Sequence, residues 1–364
     1  MKNTLGHSVS LTLFGESHGE KIGVVLDGMA PGIEVDIEDI LAQVELRKPY
    51  GRISTQRKEG DFPQIVSGVF EGKTTGTPIC ILINNENTKS KDYSKTKDLA
   101  RPGHADYTSF EKYHGFADYR GGGHFSGRLT APIVAAGAIV RGALEKKGIY
   151  IGTHILQCGQ IKDREFADFH EDISYLRNLQ FPVLEKNVES EMVAYMEAAA
   201  NEGDSVGGIL QTAVIGIEPG VGEPWFDSLE SMLAHGLFGI PAVKGVEFGL
   251  GFGFAEKVGS QANDAFCIEN EKIVTKSNNN GGLNGGITNG MPIVFQCVIK
   301  PTPSIYKKQE TVNFVEKTEE ILQIEGRHDP AIIHRARIVV DAMTAIVLCD
   351  VLAQRFGTDW MVCA

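Results

Sequence analysis

The sequence predicts a fold that mixes β-strands with α-helices, and three observations carry that reading. Short runs rich in Ile and Val have the length and composition of strands. Between them lie longer stretches with helix caps and helically spaced apolar residues. The 42 glycines gather in clusters, at Gly121 to Gly123, Gly249/Gly251/Gly253 and Gly281 to Gly286, where backbone turns sharply or approaches a ligand.

In chain order, a strand is expected just before Gly15, and Asp36 can cap a helix from Ile37 to about Leu46. Ile65 to Phe70 and Pro78 to Ile83 read as strands. Thr130 to Lys147 is an Ala-rich helix stopped by Gly148. Ile149 to Leu156, Gly208 to Ile217 and Ile293 to Ile299 are further strands, while Val188 to Asn201 and Asp227 to Phe238 are helical in pattern. A last long helix is expected from near Ile338 to Gly357. Residues 84–103 and 276–290 are polar and loop-like, a length that usually goes with function or disorder. Ala138-Ile139-Val140 follows Arg128 by the same interval as Ala345-Ile346-Val347 follows Arg335, an echo that chance explains better than a duplicated core.

With 42% hydrophobic residues the 364-residue chain can bury a substantial core, and without a long linker it is expected to form a single domain over 1–364. Its net charge of −12 argues against general attraction to nucleic acid or to an anionic membrane. The six scattered cysteines suit reduced thiols, and the chain has neither a signal-peptide pattern nor an apolar run of about 20 residues. A cytoplasmic protein is expected. No metal-ligand spacing is present, so no metal is expected. The run Gly68 to Thr74 resembles a phosphate-binding loop but is one residue short, which leaves Lys73 as a turn residue. Gly249 to Phe254 lacks the third glycine of a dinucleotide fingerprint.

An acidic chain that binds an anion must concentrate its basic residues. Arg47, Lys48, Arg52, Arg57 and Lys58 fall together, followed by Arg101, Arg120 and Arg128, then Arg327, Arg335 and Arg337. Guanidinium groups pair bidentately with phosphate and carboxylate. For Lys48 and Lys58 a solvated helix end after Leu46 is the favoured reading. Four segments set histidine beside glycine or arginine: His18 in Gly15 to Gly19, His104 in Arg101 to Asp106, His124 in Arg120 to Arg128, and His328 in Gly326 to Pro330. Any one histidine is more often structural; four in such settings favour proton transfer.

These segments resemble the signatures of the chorismate synthase family: GESHG, RKPYGRISTQRKEGD, RPGHADYT, RGGGHFSGRLTA, AVKGVEFG, GGLNGGITNG, KPTPSI and GRHDP, in the family's order from about residue 5 to 356. The resemblance implies an α+β fold, a β-α-β sandwich with internal pseudo-symmetry, assembled as a homotetramer. It implies the last step of the shikimate pathway, a lyase reaction in which phosphate leaves 5-enolpyruvylshikimate 3-phosphate by 1,4-elimination, with reduced FMN as cofactor. By the same likeness His104 is the proton donor, His18 the partner of the flavin, and Asp329 the acceptor of the C6 proton. Arg47 and Arg52 match positions tied to substrate or NADPH, and Arg101 and Arg128 join them. Flavin contacts carried over are His124, Phe125, Ser126, Ala242, Gly285, Lys300, Pro301, Thr302, Pro303, Ser304 and Arg327. Many relatives read Arg-Ser-Ser-Ala-Arg where this chain has His124 to Arg128, and proline where it has His334. Some reduce their own flavin with NADPH; no reductase segment is visible here, which favours an outside supply. Two other readings remain at this stage: another reduced-flavin lyase on a related phosphorylated cyclic acid, and a non-catalytic anion-binding relative.

Overall fold

The computed structural model describes residues 3–54, 60–86, 97–324 and 329–363. Two five-stranded antiparallel sheets face each other across a layer of helices. The first half of the chain supplies β1 (Thr4–Gly6), β2 (Ser10–Gly15), β3 (Lys21–Asp27), α1 (Ile37–Leu46), β4 (Gln64–Ser67), the short hairpin β5 (Val69–Phe70) and β6 (Lys73–Thr74), β7 (Ile79–Asn84), α2 (Asp106–Lys112) and α3 (Thr130–Lys146). Its sheet runs β1-β2-β3-β7-β4. The second half supplies β8 (Tyr150–Cys158), β9 (Ile161–Lys162), α4 (Phe169–Leu176), α5 (Lys186–Asn201), β10 (Gly208–Ile215), α6 (Leu229–Phe238), β11 (Val243–Phe248) and α7 (Gly259–Ala262). Three hairpins and the last elements follow: β12 (Phe266–Glu269) with β13 (Lys272–Thr275), β14 (Leu283–Asn284) with β15 (Ile287–Thr288), β16 (Ile293–Ile299), β17 (Gln309–Asn313) with β18 (Thr318–Leu322), and α8 (Ile333–Phe356). The second sheet runs β11-β16-β10-β8-β9.

Local chemistry sets most element ends. The Asp36 side chain accepts from the Glu38 and Asp39 amides and opens α1. Gly148, at φ 73, lies just beyond the end of α3. In β7 only one face is fully buried, through Ile79, Ile81 and Ile83, whereas most of β8 is buried on both faces. Helices α3 and α8 are buried nearly all round because they lie between the sheets: α3 packs on β3, β7 and β8, and α8 on β8, β10 and β2. One apolar core joins Leu26 and Ile81 of the first sheet to Ile155 and Phe295 of the second.

The two halves repeat one another. Each lays down two antiparallel strands, then a helix, then two more strands and a long helix, and each sheet places the fourth strand between the second and third. Thus β2, β3, α1, β4, β7 and α3 correspond to β8, β10, α6, β11, β16 and α8. The loops agree atom for atom. After β3 the chain reads Gly28-Met29-Ala30-Pro31-Gly32, and after β10 it reads Gly216-Ile217-Glu218-Pro219-Gly220. Thr74 Oγ1 donates to Ala30 O (2.6 Å) and accepts from Ile33 N (2.9 Å); Thr288 Oγ1 donates to Glu218 O (2.7 Å) and accepts from Val221 N (2.9 Å). A Cβ on Gly28 would sit 1.9 Å from Ser8 O, and one on Gly216 would sit 2.0 Å from Gly148 O. The duplicated core is therefore real, and the Ala-Ile-Val echo falls on equivalent helices.

Several boundaries differ from expectation. Helix α8 begins at Ile333, five residues before Ile338, because its polar first turn is satisfied by distant partners. The run from Ile65 to Phe70 breaks at Gly68, whose φ of 81 turns the chain into the β5–β6 hairpin. Helix α6 starts at Leu229, two residues after the expected Asp227, with Ser228 as its cap. The polar stretch 276–290 contains the β14–β15 hairpin. The polar stretch 84–103 falls partly outside the described residues.

Candidate active site

At the N-terminal ends of α3 and α8 the two halves enclose a cleft of about 270 Å³. Its walls include Arg47 and Lys48 from the end of α1, Arg128 from the turn before α3, and Arg335 from the first turn of α8, against two carboxylates, Asp61 and Asp329. In a chain of net charge −12, four cations are thus gathered in one place. Two helix N-termini add their partial positive charge. Lys48, expected from sequence to sit on a solvated helix end, instead lines this cleft, while Lys58 lies outside the described residues.

A chain of polar contacts fixes the cations. Arg128 donates from Nη1 to Asp61 Oδ1 (2.5 Å), from Nε to Asn85 Oδ1 (2.6 Å) and from Nη2 to Asn84 O (3.0 Å). Arg47 Nη1 lies 3.9 Å from Asp61 Oδ2, and its Nη2 donates to Arg128 O (3.3 Å). Arg335 donates from Nε to Arg47 O (2.8 Å) and pairs through Nη1 with Asp329 Oδ1 (2.9 Å). Burial, followed by the nearby Arg335 charge, pulls the Arg47 guanidinium down to about 10. Its buried Nε has no partner among the described residues. An entering anion would relieve both conditions.

His18 and His104 lie along one glycine loop. A Cβ on Gly121 would sit 2.1 Å from His18 Cε1, and one on Gly122 would sit 3.2 Å from His104 Cε1 and Nε2. Only glycine lets this backbone, all at positive φ, run so close to two imidazoles. Ser17 Oγ lies 3.1 Å from His18 Nδ1 and donates to the Arg120 and Gly121 carbonyls. His104 Nδ1 lies 2.9 Å from Asp106 Oδ1 and 3.0 Å from Arg101 Nη2.

The other sequence-derived residues divide into three groups. His124 lies 2.8 Å through Nδ1 from Gly15 O, Phe125 meets Tyr113 edge-on, and Ser126 lines the cleft while its hydroxyl accepts from the Arg128 amide. The loop Lys300, Pro301, Thr302, Pro303 and Ser304 ties cleft to histidines. Lys300 Nζ donates to Gly103 O, Ser304 Oγ accepts from Arg101 Nη1 (3.5 Å), and Thr302 Oγ1 donates to Asp329 O (2.7 Å). Ala242, at φ 76, accepts the Lys300 amide on its carbonyl (2.9 Å). Three residues are not gathered in. Arg52 is exposed on a turn after α1, Gly285 is exposed at the tip of the β14–β15 hairpin, and Arg327 lies outside the described residues. Arg101 serves His104 and Asp106 rather than the cleft. Asp61 and Asp106 have no role in the sequence reading, although they stand inside motifs quoted for their neighbours, whereas Arg335 appears there only among the basic residues suited to an anion.

His334 is fully buried beside Arg335. Its Nε2 lies 2.9 Å from Ser54 Oγ and its ring stacks on Phe181. Burial, reinforced by Arg335, pulls it from 6.5 to about 3. Between those values the unfolded chain binds the extra proton, so stability present above pH 6.5 is lost as the pH falls towards 3. Urea unfolding from pH 7 to 4 should show a loss of several kcal/mol, and His334→Asn should remove much of that slope. An unchanged slope would count against the buried neutral imidazole.

Fold and site together give a cleft of cations, two carboxylates and two neighbouring imidazoles, groups able to hold an anion and to move protons. Comparison with known proteins makes this specific. The family model described as chorismate synthase matches residues 9–353. A chorismate synthase of Pyrococcus abyssi is 48% identical over 96% of this chain and 97% of its own length. One from Thermococcus kodakarensis is 45% identical over 98% and 99%, and one from Dehalococcoides mccartyi 46% over 98% and 98%. A solved structure described as a crystal structure of chorismate synthase superposes with a TM-score of 0.75 at 27% identity, covering 97% of this chain and 94% of its own. The chain belongs to the chorismate synthase family. Chorismate synthase activity, a lyase reaction of the shikimate pathway leading to aromatic amino acids, follows from full-length likeness of this closeness. The family acts on 5-enolpyruvylshikimate 3-phosphate and uses reduced FMN. Among the described residues no helix is long and apolar enough to cross a membrane.

Proposed function

We propose that the cleft between α3 and α8 holds the substrate's anionic groups and that the histidine-lined glycine loop beside it faces the flavin. One observation supports this most: four cations and two helix N-termini converge on a single cleft, tied to His104 through the Lys300–Ser304 loop. Arg47, Lys48, Arg128 and Arg335 hold phosphate and carboxylates. His104 gives a proton to the phosphate oxygen as the C3–O bond breaks and its electron pair leaves with phosphate. Asp329 takes the proton from C6, and the C6–H electrons complete the new double bond, so no net oxidation occurs. Reduced flavin, when bound, supplies electron density transiently and receives it back.

The residues available for the flavin fit an anionic, planar group. His18, Lys300 and Arg101 lie along the same glycine-rich backbone and supply donors and positive charge to such a group. His124, Phe125, Ser126, Ala242 and Thr302 to Ser304 border the same region, while Gly285, Arg52 and Arg327 are assigned on family likeness alone. We further read the chain as one domain over 1–364, cytoplasmic, assembling as a homotetramer, and drawing reduced FMN from an outside supply rather than from NADPH.

Titration of FMN fluorescence with and without substrate tests the shared site. FMN should bind more tightly when substrate is present, because the Lys300–Ser304 loop serves both groups. Equal affinity in the two titrations would separate the sites and overturn the placement.

A further inference from the structure

We propose that Asp106 is the positioning residue for His104: its carboxylate accepts a hydrogen bond from Nδ1–H, fixes the ring, and leaves Nε2 as the atom that exchanges a proton with the substrate. The inference rests on the reading of His104 as proton donor and deepens it. Asp106 Oδ1 lies 2.9 Å from His104 Nδ1 and accepts from Arg101 Nη2 (2.7 Å). Its Oδ2 accepts from Arg101 Nε (2.8 Å) and from the Arg101 amide (3.0 Å). The carboxylate is therefore clamped on both oxygens by the residue that opens the motif, three positions before the histidine it serves.

The geometry leaves one orientation for the ring. With Nδ1 held by Asp106, the Cε1–Nε2 edge lies against Gly122. Arg101 Nη2 also stands 3.0 Å from Nδ1, and a guanidinium can only donate. Without Asp106, that N–H would claim the Nδ1 lone pair and leave a neutral ring whose single proton sits on Nε2. With Asp106, Nδ1 keeps its hydrogen and Nε2 can carry a second one, which makes the imidazolium the donor. Desolvation pushes the Asp106 carboxyl up, but bonds from Arg101 and His104 outweigh it and hold the group well below the usual carboxylate range. It is thus an acceptor throughout the working range. Other charged groups around the ring are Lys300, held on Gly103 O, His18 against Gly121, and the Arg120–Asp118 pair (2.8 Å).

The step this serves is a single proton transfer. Nε2–H of His104 gives its proton to the departing phosphate oxygen, the ring becomes neutral with Nδ1–H still on Asp106, and solvent restores the proton after product leaves. An orienting carboxylate of this kind acts on kcat and on its pH dependence rather than on substrate affinity.

Turnover of the full chain with reduced FMN supplied, measured across pH 6–9, tests the proposal. Asp106→Asn should lose roughly 10-fold or more in kcat, within the about 100- to 10,000-fold worth of a general acid, with little change in KM. Its alkaline limb should move to lower pH, and Asp106→Glu should recover part of kcat. In a His104→Ala background, Asp106→Asn should cost nothing further. A wild-type kcat and pH profile for Asp106→Asn, or an equal loss in both backgrounds, would overturn the positioning role while leaving His104 as donor. If His104→Ala itself turned over normally, the reading of His104 would fall first. A loss of thermal stability, with kcat and KM changed alike at every pH, would assign Asp106 to the start of α2 instead.

Discussion

Replacing His104 by alanine is expected to slow phosphate release about 100- to 10,000-fold when reduced FMN is supplied. The loss arises because the C3–O bond then breaks without a proton for the leaving oxygen. Phosphate is a poor leaving group until it is protonated or neutralised, and the cleft's arginines are already engaged with one another and with carboxylates. Substrate affinity should change less than the rate, since the cations of the cleft rather than His104 hold the substrate's anionic groups. His18→Ala should behave differently, because His18 is held by Ser17 on the neighbouring position of the glycine loop. Its effect should appear in how the reduced flavin titrates. Stopped-flow measurement of phosphate release, with flavin absorbance followed in parallel, distinguishes the two. Wild-type rates in both variants would remove the acid–base assignment.

The second large effect is on stability. Asp61 is buried between Arg128 and Arg47, with 2% of its side chain exposed, and is the carboxylate nearest to both guanidinium groups in their contact chain. Asp61→Asn leaves two buried cations without that charge, a change that costs about 3–5 kcal/mol when one partner of a buried pair is removed. Asparagine also tolerates the φ of 48 at this position, so backbone strain should not contribute. Urea unfolding measures the loss. Inorganic phosphate should restore more stability to the variant than it adds to the unaltered chain, because the anion then supplies the missing charge. A loss below 1 kcal/mol, or equal stabilisation of both proteins by phosphate, would show that the cations do not depend on Asp61.

Legibility from sequence followed the range of the interactions involved. Helix α1 could be read to the residue, because Asp36 caps it through neighbours two and three positions on. The apolar strand Ile293–Ile299 was equally plain. The start of α8 was not, because His334, Arg335 and Arg337 look like surface residues. They are instead satisfied by Ser54, Asp329 and the carbonyls of Leu176 and Leu179. The β17–β18 hairpin carries a polar, mostly exposed sequence without the expected alternation. The site motifs were visible as strings, and three of the residues singled out in them, Arg47, Arg128 and Asp329, line the cleft. Their grouping was not visible, because Arg47, Arg128 and Arg335 meet only through the packing of α1, α3 and α8. The repeat is written in the sequence where the Ala-Ile-Val echo does not reach: Thr74-Thr75-Gly76-Thr77-Pro78-Ile79 corresponds to Thr288-Asn289-Gly290-Met291-Pro292-Ile293.

The position of the cleft gives that repeat a chemical meaning. Arg128 and Arg335 occupy corresponding places ahead of and within the first turns of equivalent helices, and Pro49 and Pro241 close equivalent helices on either side. A pair of identical half-length chains meeting here would offer every incoming molecule the same groups from left and right. Such a pocket suits a symmetrical anion, yet a ring that must lose phosphate at one carbon and a proton at another needs unlike groups on its two sides. Joining the halves in one polypeptide lets each diverge alone. Among the described residues, the glycine loop beside His18 and His104 belongs to the first half, and the Arg335–Asp329 pair stands at the head of the second half's long helix. The cleft thus presents unlike groups from its two sides, a difference that any arrangement making the halves alike would remove.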